Sequence, residues 1–148
     1  MKVAILMGSP NDGPKMEAAA EMLDRFGVGH VIEVMSAHRT PAAVAAFASG
    51  ARDAGFAAVI CGAGMAAHLA GVVAAHTTLP VIGVPLSGGL ADGLDALLST
   101  VQMPKGIPVA TVAVNGAANA AVLATEIMAV NDEQLAARLA EFRGAGAR

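Results

Sequence analysis

The sequence predicts an α/β domain built on a parallel, doubly wound sheet of about five strands, and three observations lead to this prediction. Five short apolar runs of strand length alternate with segments whose apolar residues recur at helical spacing. Alternating strands and helices favour a parallel sheet, because each helix returns the chain to start the next strand in the same direction. The 148 residues show no linker, low-complexity tract or internal repeat, so we expect one domain over residues 1–148.

The predicted elements follow one another in a regular order. The apolar runs that predict strands are KVAILM, HVIEVM, AAVIC, PVIGVP and VATVAV. Helical spacing predicts helices over residues 14–26, 41–54, 65–76, 94–102 and 117–130. A last amphipathic segment, NDEQLAARLAEFR, has Asn131 as its expected cap and two acidic residues, Asp132 and Glu133, in its first turn. This segment predicts a C-terminal helix that docks on the domain or on a neighbouring subunit.

The composition predicts that something other than water covers part of the surface. The chain is 55% hydrophobic and 14% charged, whereas about 25% of residues are charged in an average soluble domain. Many of the apolar residues are alanines, in stretches such as AAAEML and AANAAVLATEIMA. Small residues of this kind suit close helix packing between subunits, so we expect a homo-oligomer.

The same features argue against several other classes of protein. Charges and glycines interrupt every apolar run before it reaches the ~18 residues of a membrane-spanning helix. The N-terminus MKVAILMGSPND has no cleavage site of a signal peptide, and the single Cys61 cannot form an internal disulfide. We therefore expect a cytoplasmic protein. A net charge of −3 without a basic cluster argues against binding to nucleic acid.

Polar residues are concentrated in three loops that follow predicted strands. Ligands of open parallel sheets bind beyond the carboxyl ends of the strands, near the point where the strand order reverses. If the order is 2-1-3-4-5, the loops after the first three strands are neighbours at that point. We name them the first loop (GSPNDG), the second loop (SAHRTP) and the third loop (GAGMAAHLAG).

The first loop has two interpretations. Gly8 and Ser9 lie at a strand-to-helix turn, where backbone N–H groups at a helix N-terminus can bind a phosphate. Alternatively, Ser9, Asn11 and Asp12 are only turn and cap residues, which is their commonest use. Asp12 could also accept hydrogen bonds from sugar hydroxyls, since a carboxylate is an acceptor only.

The second loop also has two interpretations. Arg39 beside Ser36 suits bidentate recognition of a phosphate. Alternatively, Arg39 pairs with a surface carboxylate, and Thr40 with Pro41 simply caps the next helix. His38 is the residue in this loop whose ordinary pKa allows proton transfer near neutral pH.

The third loop combines glycines, which permit close backbone approach, with alanines and Leu69, which would form a small apolar wall. His68 is expected on the helix that follows, and a histidine among alanines is most often a core or interface residue. His30 and His76 are less notable, since one begins a strand and the other ends a helix.

Other kinds of site find little support. No pair of metal-ligating residues has the spacing of CxxC or HExxH, so no metal is expected. The third loop lacks the complete GxGxxG arrangement of a dinucleotide site, and there is no Trp or Tyr to stack on a flavin. A phosphoacceptor receiver domain would need a carboxylate at the end of the third strand, where Cys61 stands.

Taken together and in this order, the loops give the chain its resemblance to a known family. MGSPND, VMSAHRTP, GAGMAAHLAG, LPVIGVP and STVQMPKGIPVATVAVNGAANAAVLA span nearly the whole chain. The chain resembles the 5-(carboxyamino)imidazole ribonucleotide mutases of purine biosynthesis, also described as the catalytic subunit of phosphoribosylaminoimidazole carboxylase. SAHRTP followed by AAHL and VQMPKGIPV is the most specific part of this resemblance.

The resemblance implies a flavodoxin-like, three-layer domain assembled as an octamer with active sites at subunit junctions. It implies that Ser9, Ser36 and Arg39 bind the phosphate of a nucleotide substrate and that Asp12 binds its ribose. His38 would transfer a proton, and His68 would belong to the loop that closes over the imidazole and carboxylate. No cofactor is implied. The full substrate-binding set is Ser9, Asn11, Asp12, Ser36, Ala37, Arg39, Gly62, Ala63, Gly64, Met65, Ala66 and Leu69, with His38 and His68 as the catalytic residues.

The chain departs from the family pattern at three places. Asn11 stands where a serine is usual, and the usual Gly-Gly and Leu-Pro of the third loop are Gly64-Met65 and Leu69-Ala70. Asn11 can still donate and accept hydrogen bonds, whereas Met65 and Ala70 would change the mobility of the loop. A second branch of the family carboxylates the aminoimidazole directly with carbon dioxide and differs across the third loop, so AAHL favours the mutase branch.

Two hypotheses from other classes stay open. A non-catalytic nucleotide-binding module would use Ser9, Asp12 and Arg39 but would have no need of His38. A purely structural oligomer would explain the alanine-rich helices but not the strand-end loops. Ligand binding and turnover distinguish these hypotheses from an enzyme.

Overall fold

The computed structural model describes residues 1–147 and confirms the predicted parallel sheet. Five strands pair in parallel in the order β2-β1-β3-β4-β5, so the strand order reverses beside β1. The strands are β1 (Lys2–Met7), β2 (Gly29–Val34), β3 (Phe56–Gly64), β4 (Val81–Leu86) and β5 (Ala110–Thr111). The helices are α1 (Gly13–Arg25), α2 (Pro41–Gly50), α3 (Leu69–His76), α4 (Leu94–Val101), α5 (Ala117–Ala129) and α6 (Glu133–Gly144), with 3-10 turns at Pro10–Asp12 and Leu90–Asp92.

Helices cover both faces of the sheet, which gives the expected three layers. Successive residues of a strand point to opposite faces, and β1 shows this directly. Val3, Ile5 and Met7 pack into the core formed with α1, α5 and α6. Ala4 and Leu6 pack into the core formed with α2 and α3. The almost continuous apolar runs of the inner strands follow from this two-sided burial.

Two predicted strands have different lengths in the structure. β3 extends to Gly64 because Gly62, Ala63 and Gly64 continue the pairing with β4, so the first residues of the third loop belong to the strand. β5 is limited to two residues of the predicted VATVAV run. Beyond them the chain bends into a turn at Asn115, which has a left-handed φ of 58°.

Two helix starts were predicted wrongly, each for a local reason. The third helix begins at Leu69 and not at residue 65, because Met65 has a left-handed φ of 55° that a right-handed helix cannot contain. The last helix is capped by Asp132 and not by Asn131. Asp132 Oδ1 accepts hydrogen bonds from the backbone N–H groups of Gln134 (3.0 Å) and Leu135 (3.1 Å).

None of the helices within residues 1–147 has both the length and the apolar character needed to cross a bilayer.

Candidate active site

The carboxyl ends of the first four strands open onto a cavity of about 580 Å³. The first, second and third loops all contribute to its lining, as the strand order 2-1-3-4-5 predicts. A fourth loop, which begins at Ser87 after β4, completes the wall. The lining residues are Gly8, Ser9, Asn11, Asp12, Ser36, Ala37, His38, Arg39, Ala63, Gly64, Met65, Ala66, His68, Leu69, Ser87 and Gly88.

Gly62 is the one expected site residue that does not line this cavity. It is buried within β3, where a β-carbon would collide with the side chain of Met16. Its carbonyl accepts a hydrogen bond from the backbone N–H of Gly8 at 3.2 Å. The absence of a side chain at Gly62 therefore lets α1 pack closely on the sheet. Its carbonyl also fixes the position of Gly8 at the start of the first loop.

In the first loop, Ser9 is a cap and a cavity residue at once. Its Oγ accepts a hydrogen bond from the backbone N–H of Asn11 at 3.2 Å and so caps the 3-10 turn. Asp12, at the end of that turn, is half-buried. Burial raises the pKa of the Asp12 carboxyl, although a hydrogen bond from the backbone N–H of Ser9 and the charge of Lys15 oppose this shift.

The second loop is organised around the hydroxyl of Ser36. Ser36 Oγ accepts hydrogen bonds from the backbone N–H groups of His38 (3.3 Å) and Arg39 (3.2 Å). Thr40 does not cap α2 through its side chain. Its Oγ1 instead accepts a hydrogen bond from the backbone N–H of Ser36 at 2.9 Å. With its lone pairs engaged in this way, Ser36 keeps its hydroxyl hydrogen for a ligand.

Arg39 does not make the surface ion pair that was the alternative interpretation. In residues 1–147 a carboxylate lies within 4 Å of a basic side chain at His30 with Asp24 and at Arg143 with Glu126, and no carboxylate lies within that distance of Arg39. The Arg39 side chain is exposed at the cavity. Its guanidinium is therefore available for a planar anion such as a phosphate.

The second and third loops meet through two histidines. His38 Nε2 lies 2.8 Å from His68 Nδ1, which is hydrogen-bond distance, and the rings are edge to face with centroids 4.9 Å apart. One of the two nitrogens must carry the proton and the other must accept it. His68 immediately precedes α3, whereas it was expected on that helix. Its side chain is exposed, so it is not a core residue. His30 and His76 do not line the cavity.

The rest of the third loop forms the apolar side of the cavity. Ala63, Ala66 and Leu69 line it, and Leu69 is only 2% exposed because its side chain also enters the core. Met65, by contrast, is 66% exposed. Met65, whose backbone is left-handed, thus places a large apolar side chain at the rim of the cavity.

Sequence reasoning missed the fourth loop. Ser87 and Gly88 follow β4 and line the cavity, and the strand-end rule applied to PLSGGL would have indicated them. Lys15 Nζ donates a hydrogen bond to the carbonyl of Ser87 at 2.7 Å, which links α1 to this loop. Within residues 1–147 there is no group of three or more His, Cys, Asp or Glu residues that could hold a metal ion.

The chain is similar to known proteins over nearly its whole length. Residues 2–148 match the AIR carboxylase family. The N5-carboxyaminoimidazole ribonucleotide mutase of Vibrio parahaemolyticus is 52% identical over 145 residues, covering 97% of this chain and 90% of that protein. The protein of the same name from Escherichia coli is 49% identical over 146 residues, covering 97% of this chain and 86% of that protein.

A solved structure shares the fold over almost the whole length. The crystal structure of Treponema denticola PurE superposes with a TM-score of 0.87 at 30% sequence identity, covering 98% of this chain and 90% of that one. The family match covers residues 2–148, and the two relatives are each aligned over 97% of this chain. The chain therefore belongs to the AIR carboxylase family.

Proposed function

We propose that this chain is an isomerase of de novo purine biosynthesis. It converts 5-carboxyamino-1-(5-phospho-D-ribosyl)imidazole to 5-amino-1-(5-phospho-D-ribosyl)imidazole-4-carboxylate. The observation that carries this proposal is the hydrogen-bonded pair of His38 and His68, 2.8 Å apart, in a cavity that also presents Ser36 and Arg39. Relatives about half identical to the chain bear the name of this mutase.

The reaction moves one carboxylate and returns every proton it uses. The bond between the exocyclic nitrogen and the carboxylate breaks, carbon dioxide is released, and the nitrogen takes up a proton. Ring carbon 4, which is enamine-like, then attacks the carbon dioxide and afterwards loses its own proton. His38 gives the first proton and takes the second, while His68 holds the ring of His38 through their hydrogen bond.

The cavity supports the other two tasks that this chemistry sets. Carbon dioxide must stay close to carbon 4, and Ala63, Ala66 and Leu69 give it an apolar wall without hydrogen-bonding side chains. Ser9, Ser36 and Arg39 bind the phosphate, and Asp12 accepts hydrogen bonds from the ribose. Binding the nucleotide by groups remote from the reacting atoms contributes to positioning them.

A turnover assay with the carboxyamino nucleotide tests this proposal. We expect conversion without added bicarbonate, and little exchange of the substrate carboxylate with labelled bicarbonate in solution. Rapid uptake of label into the product would instead assign the chain to the branch that uses free carbon dioxide. Binding of the nucleotide without any turnover would leave only a nucleotide-binding module, and no binding would leave a structural oligomer.

We also propose that the chain forms a homo-octamer. Apolar side chains are exposed on two elements of the subunit: Leu94, Leu98 and Val101 on α4, and Ile32 and Val34 on β2. Exposed apolar residues that recur along one helix are typical of a covered interface. A cytoplasmic location and the absence of a cofactor stay predictions from the sequence.

A further inference from the structure

We propose that Ser87 donates a hydrogen bond to the carboxylate of the nucleotide and that Asn115 positions Ser87 for this contact. The inference rests on the proposed function, because it assigns one end of that substrate to the fourth loop. Ser87 lines the cavity beside Gly88, whereas Asn115 does not line it. Ser87 is therefore proposed as a binding residue and Asn115 as a positioning residue.

The hydrogen bonds between the two residues fix the direction of the Ser87 hydroxyl. Asn115 Oδ1 accepts from the backbone N–H of Ser87 at 3.0 Å, and a backbone N–H can only donate. The amide oxygen of Asn115 must therefore face that N–H, which leaves its Nδ2 to donate to Ser87 Oγ at 2.9 Å. Ser87 Oγ is thus an acceptor toward Asn115, and its own hydrogen is free to point elsewhere.

The rest of the fourth loop is held so that this hydroxyl has a fixed position. The carbonyl of Ser87 accepts from Lys15 Nζ at 2.7 Å. Asn115 is itself held by a hydrogen bond from its backbone N–H to the carbonyl of Pro85 at 2.9 Å, with the left-handed φ that asparagine tolerates better than most residues.

The order of the strands places Ser87 at the carboxylate end of the substrate. The phosphate anchors Ser9, Ser36 and Arg39 follow β1 and β2, whereas Ser87 follows β4. Strands lie about 4.8 Å apart, so the second and fourth loops are separated by about 14 Å across the sheet. Leu86 pairs with Gly64, so Ser87 lies next to the third loop, beside the proposed carbon dioxide site.

Two nucleotides that differ only in the carboxylate test the inference. The product carries a carboxylate on carbon 4, and the decarboxylated aminoimidazole ribonucleotide has none. In the Ser87→Ala protein we expect the affinity for the product to fall about tenfold or more, as for loss of a hydrogen bond to a charged group. The affinity for the decarboxylated nucleotide should stay within about twofold of the wild type, because it makes no such bond.

Three further variants separate positioning from general damage. Ser87→Thr keeps the hydroxyl and should retain product affinity. Asn115→Gly accepts the left-handed φ but removes the amide, so it should reproduce the selective loss, with little further loss when combined with Ser87→Ala. Ser99→Ala removes a serine hydroxyl that bonds within α4 to Asp95 and should leave both affinities unchanged.

The outcomes distinguish this inference from the proposed function. Equal weakening of both nucleotides by Ser87→Ala, or no weakening of either, would overturn the contact with the carboxylate. Full product affinity in Asn115→Gly would overturn the positioning role. A wild-type protein that binds neither nucleotide, or that binds both without mutase turnover, would count against the proposed function itself.

Discussion

Single residues set the chemistry of the cavity, and His38 has the most direct role in the proposed reaction. Its ring bonds to His68 on one side and its backbone N–H bonds to Ser36 Oγ. The backbone contact fixes the loop whatever the side chain is. A change of the ring therefore tests proton transfer with little effect on the fold.

We expect His38→Asn to lower turnover while binding of the product nucleotide survives. Asparagine keeps a polar side chain but does not titrate, and a general acid–base group typically contributes about 10²–10⁴-fold. Turnover, product affinity and thermal unfolding should be measured on the same variant. His76→Asn, an exposed histidine at the end of α3 and outside the cavity, is the matched control. A folded His38→Asn protein with more than about a tenth of wild-type turnover would remove His38 from the mechanism.

Asp12 combines a proposed binding role with a cost to stability. Because burial raises the pKa of its carboxyl above the ordinary 3.8, the folded protein holds this proton more tightly than the unfolded chain. Asp12 therefore favours folding most at low pH, and that contribution is lost as the pH rises from about 4 through the folded pKa. At neutral pH the half-buried carboxylate makes the fold less stable than an uncharged side chain would.

We therefore expect Asp12→Asn to raise the melting temperature at pH 7 and to weaken binding of the nucleotide. The gain in stability should shrink toward pH 4, where the wild-type carboxyl becomes protonated. Thermal unfolding from pH 4 to pH 7 measures this difference. Asp53→Asn, at an exposed position, should show no such gain. A variant that is less stable than the wild type at pH 7 would contradict the prediction.

The sequence predicted the position of residues that directly follow a strand, and their roles stay predictions. Ser9, Ser36, His38 and Arg39 all follow strands that the apolar pattern located, and the structure places them in one cavity. The contact between His38 and His68 spans 30 positions of the chain, and that between Ser87 and Asn115 spans 28. Such contacts depend on tertiary packing, which the local pattern does not contain, so the histidine pair and the bond between Ser87 and Asn115 came only from the structure.

At the scale of elements, the strands and helices were predicted in type and order, and their ends were not. Apolar periodicity locates the middle of an element, because burial produces it. The ends depend on backbone conformation and on single side-chain hydrogen bonds. Met65 delays the start of α3 through its left-handed φ, and Asp132 starts α6 by capping it. Neither effect changes the pattern of apolar residues.

The cap of α6 gives a direct test at this scale. We expect Asp132→Ala to lower the free energy of unfolding by about 0.5–2 kcal/mol, the usual cost of removing an N-cap. Asp132 Oδ1 bonds to two backbone N–H groups that would otherwise lack a partner in the helix. Asn131→Ala is the matched control and should have little effect. Denaturant unfolding of both variants measures the difference, and a larger loss in Asn131→Ala would contradict the assignment of the cap.

At the scale of the whole molecule, the chain has few charged residues and exposes apolar side chains on two separate surfaces, one on α4 and one on β2. Leu94 is 46%, Leu98 49% and Val101 45% exposed, and their spacing places them on one side of α4. Ile32 and Val34 are spaced by two on the edge strand β2 and are exposed to a similar extent. A subunit with two separate apolar surfaces can contact two different sets of neighbours, which a closed assembly larger than a dimer requires.

We therefore expect the wild-type protein to behave as a large homo-oligomer, most simply an octamer, in size-exclusion chromatography with light scattering. Combining Leu94→Ser with Leu98→Ser should give a smaller species, because water then solvates the side of α4 that a neighbour would cover. Val130→Ser is the control, since Val130 is 79% exposed but lies on neither α4 nor β2. If the sites lie at subunit junctions, turnover should fall together with assembly. A wild-type protein that stays monomeric at micromolar concentration would contradict the assembly, and full turnover in the smaller species would show that one subunit holds a complete site.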